Sequence, residues 1–146
     1  MKLLYTLLLI SMMICDAAAS VPRSALRTTS VKSICTTLTS TIRNVPQSVK
    51  KQVYIRDGGD LTKTKENEVD HRIALSSGGS NDITNLKLQP YSGSCNARDK
   101  DKLEVRFRAL ICKKKIKVSI AQDILYNNWE KGYEAYIDPK GCNQEK

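Results

Sequence analysis

Residues 68–104 read EVDHRIALSSGGSNDITNLKLQPYSGSCNARDKDKLE, and this stretch holds the only histidine of the chain, His71, directly after Asp70. Val69, Ile73 and Leu75 alternate through NEVDHRIAL, SSGGSND is a cluster of turn residues, and Ile83, Leu86 and Leu88 resume the apolar pattern in ITNLKLQP. That pattern predicts two strands joined by a glycine-containing loop. From Asn96 the spacing changes: Leu103, Phe107, Leu110 and Ile111 recur at helical intervals with charges between them, predicting an amphipathic helix. Strand, turn, strand, helix makes the fold class α+β.

Working outward, VPQSVKKQVYIRDGG predicts a short helix from Pro46 to Ile55, stopped by Gly58-Gly59. Downstream, Ser119 and Gln122 have capping-box spacing, and Ala121, Ile124, Leu125, Trp129 and Tyr133 share one face of a final helix closed by Pro139 and Gly141. Trp129 and Tyr133 lie on that apolar stripe and read as core. The segment from Val21 to Asn44, rich in Ser and Thr with Ile34, Leu38 and Ile42 four apart, fits either a frayed arm or short strands.

The first residues, MKLLYTLLLISMMICDAAAS, give Lys2, an apolar run from Leu3 to Cys15 and small residues before Ser20, the pattern of a cleavable secretory signal. The expected division is a signal peptide at 1–19 cut near Ala19, an N-terminal arm at 20–44 and a functional domain at 45–146. The apolar run is shorter than the roughly 20 residues of a spanning helix, so a secreted protein without membrane association is expected. Lys2 and Asp16 would leave together, so the net charge stays at +9 and favours a polyanionic partner: nucleic acid, acidic polysaccharide or an anionic surface. Cys15 would also leave, and the remaining Cys35, Cys95, Cys112 and Cys142 form an even set whose three possible connectivities the spacing does not separate. With no CxxC and a single His, a structural zinc site is not expected.

Phosphodiester hydrolysis needs a base to deprotonate water and positive charge to neutralise the phosphorane and the leaving oxygen. His71 titrates near neutrality and is the candidate base. Asp70 and Asn96 are hard oxygen donors of the kind Mg²⁺ accepts alongside water and phosphate. Neighbouring residues on a regular strand face opposite ways, so Asp70 and His71 serve one site only at a strand end or a bulge. Asn96 must open the following helix. Taken singly, each has a plainer reading: His71 as a hydrogen-bonded half-buried histidine, Asn85 as a turn residue, Asn96 as a helix cap aimed at its own backbone.

Together these residues resemble the HNH endonucleases of the ββα-metal superfamily, whose motif is an Asp-His pair on the first strand, an Asn on the second and a His or Asn on the helix. The matching positions are Asp70-His71, Asn85 in TNLK and Asn96 in CNARDK, with further likeness to small bacterial members in IRNVPQSVKKQVY and AQDILYNNWEKGYEAY. The resemblance implies a ββα-metal core with flanking α-helices, stabilised by disulfides, and an HNH nuclease domain at 45–146. It makes His71 the general base, Asn85 the residue that orients it, and Asp70 and Asn96 the ligands of a divalent ion, Mg²⁺ first and Mn²⁺ or another ion second. Lys100 matches the family's basic residue after the Asn, and Lys100, Arg98 and Arg72 are the basic residues expected to contact phosphate. The substrate would be nucleic acid, DNA ahead of RNA. The sequence leaves the oligomeric state open, with a monomer expected. Members of the family carry counterparts of Cys35 and Cys112 but not of the other two, which implies the pairs Cys35–Cys112 and Cys95–Cys142. Arg72, Ala74, Lys87-Leu88 and Cys95 depart from the family pattern and bear on substrate preference and the shape of the second strand. The rival expectation is a non-catalytic cationic protein that binds nucleic acid or another polyanion, or an effector, on the same scaffold.

Overall fold

The computed structural model describes residues 19–143, so the predicted signal segment lies outside the described residues apart from Ala19. Two short strands, β1 (Asn67–His71) and β2 (Leu86–Pro90), pair antiparallel with Val69 opposite Leu88 and His71 opposite Leu86. Helices α1 (Val31–Thr36), α2 (Thr39–Ile42) and α3 (Gln47–Arg56) precede the sheet, and α4 (Ala97–Cys112), α5 (Val118–Asn127) and α6 (Trp129–Tyr136) follow it. The architecture is α+β, with a two-stranded sheet among helices and two disulfides.

The apolar alternation predicted a first strand as far as Leu75, but β1 ends at His71. Beyond Arg72 the backbone of Ile73 finds a side chain instead of a strand. The Ile73 N–H donates to Asn85 Oδ1 at 2.9 Å, and Asn85 Nδ2 donates to the carbonyls of Ile73 (3.0 Å) and Ser80 (2.9 Å). A fully buried amide thus supplies what a ladder would otherwise provide. The pair Gly78-Gly79 makes this turn possible: Gly78 has φ of +91°, and a Cβ on Gly79 would come within 1.9 Å of the Ile73 carbonyl.

The outer edge of β2 is covered from α3. Asp57 accepts the Leu88 N–H at 2.9 Å and pairs with Arg56, whose guanidinium donates to the carbonyls of Ile83 and Leu86. The Tyr54 hydroxyl, 2.9 Å from the carbonyls of both Thr64 and Asn67, ties the same helix to the start of β1. Helix α3 begins one residue later than predicted, with Pro46 as its cap.

Three further sequence expectations need correction. The segment at 20–44 is neither a frayed arm nor strands: it forms a 3₁₀ turn at Arg23–Ala25 and helices α1 and α2, with Ala25 and Ile34 buried in the shared core. The final helix is two helices, because Asn128 has φ −160° and ψ 62°, leaves the helical region, and caps α6 by accepting the Lys131 N–H. The Ser119–Gln122 box does not form. Helix α5 starts after Lys117, and buried Gln122 donates to the carbonyls of Thr28 and Ser77, both at 2.9 Å, which burial would otherwise leave unpaired.

Leu103, Phe107 and Ile111 of α4 pack with Ile34, Ile73, Ala121, Leu125, Trp129 and Tyr133 in one core, and Phe107 meets Tyr136 edge to face at 5.0 Å. Cys35–Cys112 joins α1 to the end of α4, and Cys95–Cys142 brings the C-terminal tail beside Asn96. The first bridge spans 77 residues, for which the chain-entropy account gives on the order of 4 kcal/mol. Two such bridges fit an oxidising compartment. Among the described residues no helix is long and apolar enough to cross a membrane.

Candidate functional site

His71 closes β1 at the strand end and is only 2% exposed, yet the end position does not bring Asp70 to the same site. Its Nε2 lies 3.0 Å from Asn81 Oδ1. The orientation of that amide is fixed independently: Asn81 Nδ2 donates to the Ile42 carbonyl at 2.7 Å, and Oδ1 also accepts the Asn44 N–H at 3.2 Å. Oδ1 is therefore an acceptor, the network assigns the imidazole proton to Nε2, and Nδ1 carries the free lone pair. Among the described residues Nδ1 has no hydrogen-bond partner, and His71 is part of the wall of a cleft of about 960 Å³. Burial holds the imidazole below its usual pKa, with the charges of Arg43 and Lys100 acting in the same direction and Asn81 and Asp70 opposing. A neutral imidazole with an open Nδ1 is the state a general base requires.

Asp70 faces the other way. Its Oδ1 accepts the His71 backbone N–H at 2.7 Å and its Oδ2 accepts from Lys100 Nζ at 2.7 Å. It borders a small depression with Arg72, Lys87 and Lys100, apart from the cleft that His71 lines. Lys100 has a side chain 3% exposed and directs its ammonium at Asp70, at the His71 carbonyl (2.8 Å) and at the Glu104 carboxylate. Three donors meet three acceptors. The flanking carboxylates keep Lys100 charged against its burial, while burial pushes Glu104 up to about 7 with Lys100 pulling it down.

The remaining expected site residues divide sharply. Asn85 braces the turn after His71 through the three bonds already described. Asn96 takes the plainer of its two readings: Oδ1 accepts the N–H groups of Arg98 and Asp99, Nδ2 donates to the Gly93 carbonyl, and Asp99 returns the bond in a capping box. Two of the three residues expected to contact phosphate are engaged within the fold. Lys100 is buried among carboxylates, and Arg72 donates twice to the Tyr126 carbonyl (3.1 and 2.6 Å) while stacking 3.8 Å over the Tyr126 ring. A half-buried guanidinium beside a helix end satisfies itself on that helix's carbonyl. Arg98 is exposed on the first turn of α4.

A divalent ion does not fit Asp70 and Asn96 as they stand. Both Asp70 oxygens accept hydrogen bonds, one of them from an ammonium where a cation would sit, and the Asn96 oxygen is turned onto its own helix. Among the described residues no three His, Cys, Asp or Glu side chains gather around another point that could hold a metal.

Asn81 was not among the expected site residues: it sits in a turn cluster and contacts His71, Ile42 and Asn44 through tertiary structure alone. It also left Arg43, Lys50 and Lys51 unassigned, although all three line the cleft. None of the three lies within 4 Å of a carboxylate among the described residues. Glu68 shares the cleft, its carboxyl raised by burial first and then by Asp70 and Asp101. Compared with family models, with curated proteins and with solved structures, the chain matches none.

Proposed function

We propose that this chain is a secreted phosphodiester hydrolase acting on nucleic acid, an endonuclease of the HNH kind with β1, β2 and α4 as its ββα core. The observation that carries this reading is the Asn81 clamp on Nε2, which leaves Nδ1 without a partner among the described residues in a buried His71 that forms part of the wall of a cleft lined by Arg43, Lys50 and Lys51. Histidine bound this way accepts a proton from water at Nδ1. The water oxygen forms a bond to phosphorus, the bond from phosphorus to the leaving oxygen breaks, and that oxygen takes up a proton from solvent. The cations of the cleft offset the negative charge that grows on the phosphoryl oxygens. Asn85 and Asn81 act through His71, one by shaping its turn and one by fixing its tautomer. The reaction takes no step through a metal, because Lys100 neutralises Asp70.

A second reading, a cationic binding module without catalysis, is favoured by Lys100 itself, which occupies the carboxylate a metal-dependent nuclease would keep open. One experiment separates the two. The disulfide-bonded chain from Ser20 and its His71→Gln form are incubated with plasmid DNA and with RNA, in Mg²⁺, in Mn²⁺ and in EDTA. Cutting by the parent chain and not by the variant supports the hydrolase and names its polymer, and survival of cutting in EDTA supports the metal-free step. Binding without cutting in every condition assigns the protein to the second reading.

A further inference from the structure

We infer that the cleft beside His71 is a binding groove for a single-stranded stretch of nucleic acid, with Arg43, Lys50 and Lys51 contacting its backbone and Tyr91 and Leu61 receiving a base. The inference rests on the hydrolase reading for the identity of the polyanion and goes beyond it in choosing the strand state.

Three observations carry it. The cleft is cationic in balance, with three basic side chains against Glu68, and none of the three lies within 4 Å of a carboxylate among the described residues. Cations without a close ion pair along a concavity suit a phosphate chain, although Arg43 also acts at longer range on Glu68 and Asp101. Its rim also presents apolar surface to solvent: Tyr91 is 40% exposed and Leu61 43%. A duplex offers a protein its sugar–phosphate ribbon and the edges of its bases, and keeps the base faces stacked inside. Of the two strand states of nucleic acid, only the single strand offers an unstacked base to exposed aromatic and aliphatic faces at the rim of a basic groove, the arrangement by which single strands are held. Finally, about 960 Å³ lies at the upper end of the range for pockets that enclose a small ligand, roughly 300–1,000 Å³. An extended single strand can enter it; a double helix can only lie across its mouth. Glu68 repels phosphate but accepts hydrogen bonds from base amino groups, which places it on the base side of the groove.

The test uses the full secreted chain as His71→Gln, which keeps a donor towards Asn81, in EDTA. A labelled single-stranded oligonucleotide of mixed sequence and the same oligonucleotide annealed to its complement are titrated by fluorescence anisotropy over a salt series. The expected result is tighter binding of the single strand by about 10-fold or more. Tyr91→Ala should weaken single-strand binding by about 5- to 150-fold, the range for loss of one stacked base, and leave duplex binding unchanged. Lys50→Ala with Lys51→Ala should flatten the salt dependence by about 0.7 in slope for each phosphate contact removed. Tyr91 and Lys51 are exposed and Lys50 is half-buried, and circular dichroism confirms that each variant folds. Duplex binding equal to or tighter than single-strand binding, with no effect of Tyr91→Ala, overturns the inference. That outcome is separate from failure of the hydrolase reading: Tyr91-dependent single-strand binding by a parent chain that never cuts sustains the groove and removes the enzyme.

Discussion

Asn81 holds His71 by one atom: its Oδ1 lies 3.0 Å from Nε2, and its own amide is fixed between Ile42 and Asn44. Because the chain has a single histidine, the consequence can be read without assignment ambiguity. At pH above 7, ¹⁵N shifts of the imidazole should show the proton on Nε2 and an unprotonated Nδ1. Asn81→Ala should allow both tautomers and reduce cleavage, whereas His71→Gln should reduce it by about 10²–10⁴-fold, the usual contribution of a general base. Equal tautomer populations in the parent chain would refute the clamp.

The pKa of His71 is depressed, chiefly by burial, and this fixes the sign of two pH effects. The base is active when neutral, so the acid limb of the rate profile should fall below the ordinary histidine value of about 6.5. Arg43→Ala removes one of the charges that lower it and should move the limb upward. For stability, the unfolded chain binds the proton first on acidification. The contribution of His71 is therefore present above the unfolded value of about 6.5 and lost as pH falls through the folded value. An NMR titration and denaturant melts at stepped pH measure both.

Lys100 is a buried cation between two carboxylates, and removing it leaves Asp70 and Glu104 facing each other without compensation. Lys100→Met should cost about 3–5 kcal/mol in denaturant unfolding, the cost of breaking a buried pair from one side. Adding Glu104→Gln should recover part of it. Glu104 alone contributes with the opposite pH sign to His71: its folded pKa, pushed up to about 7, makes its stabilisation complete below the unfolded carboxylate value and lost as pH rises through about 7. Glu104→Gln should remove that decline. A stability profile unchanged by Glu104→Gln speaks against the burial of this carboxyl.

Asn85 should behave as a structural residue whose loss removes activity indirectly. Asn85→Ala orphans the Ile73 N–H and the carbonyls of Ile73 and Ser80, at about 1–3 kcal/mol for each buried group left unsatisfied. Asn85→Asp keeps the acceptor for Ile73 but sets a carboxylate oxygen against two carbonyls, and should be no better. Both should lower the midpoint of unfolding and broaden the His71 resonances. A variant of normal stability and no activity would instead give Asn85 a direct role.

The order of strand, turn, strand and helix was legible because those elements are written in local periodicity: alternation around Val69, glycines at 78 and 79, and helical spacing from Leu103 to Ile111. The breaks were less legible. The single C-terminal helix was split by Asn128, whose capping role depends on the turn that follows it, and the first strand was cut short by an amide twelve residues away. The 20–44 segment spaces Ile34, Leu38 and Ile42 four apart but surrounds them with β-branched residues that suit a strand as well. Its helices are held by the core and by Cys35–Cys112, so its sequence alone left arm and strands equally open.

By itself the sequence determined the α+β class, the cationic character and the residue types gathered around His71, since composition and short-range spacing act before any tertiary contact forms. Which of those residues face one another was decided only by folding. Asp70 turned to Lys100, Asn96 to its own helix and Arg72 to Tyr126, because a buried charge or amide takes the nearest partner that satisfies it. The same rule brought Asn81 to His71, a pairing that no spacing in the chain announces.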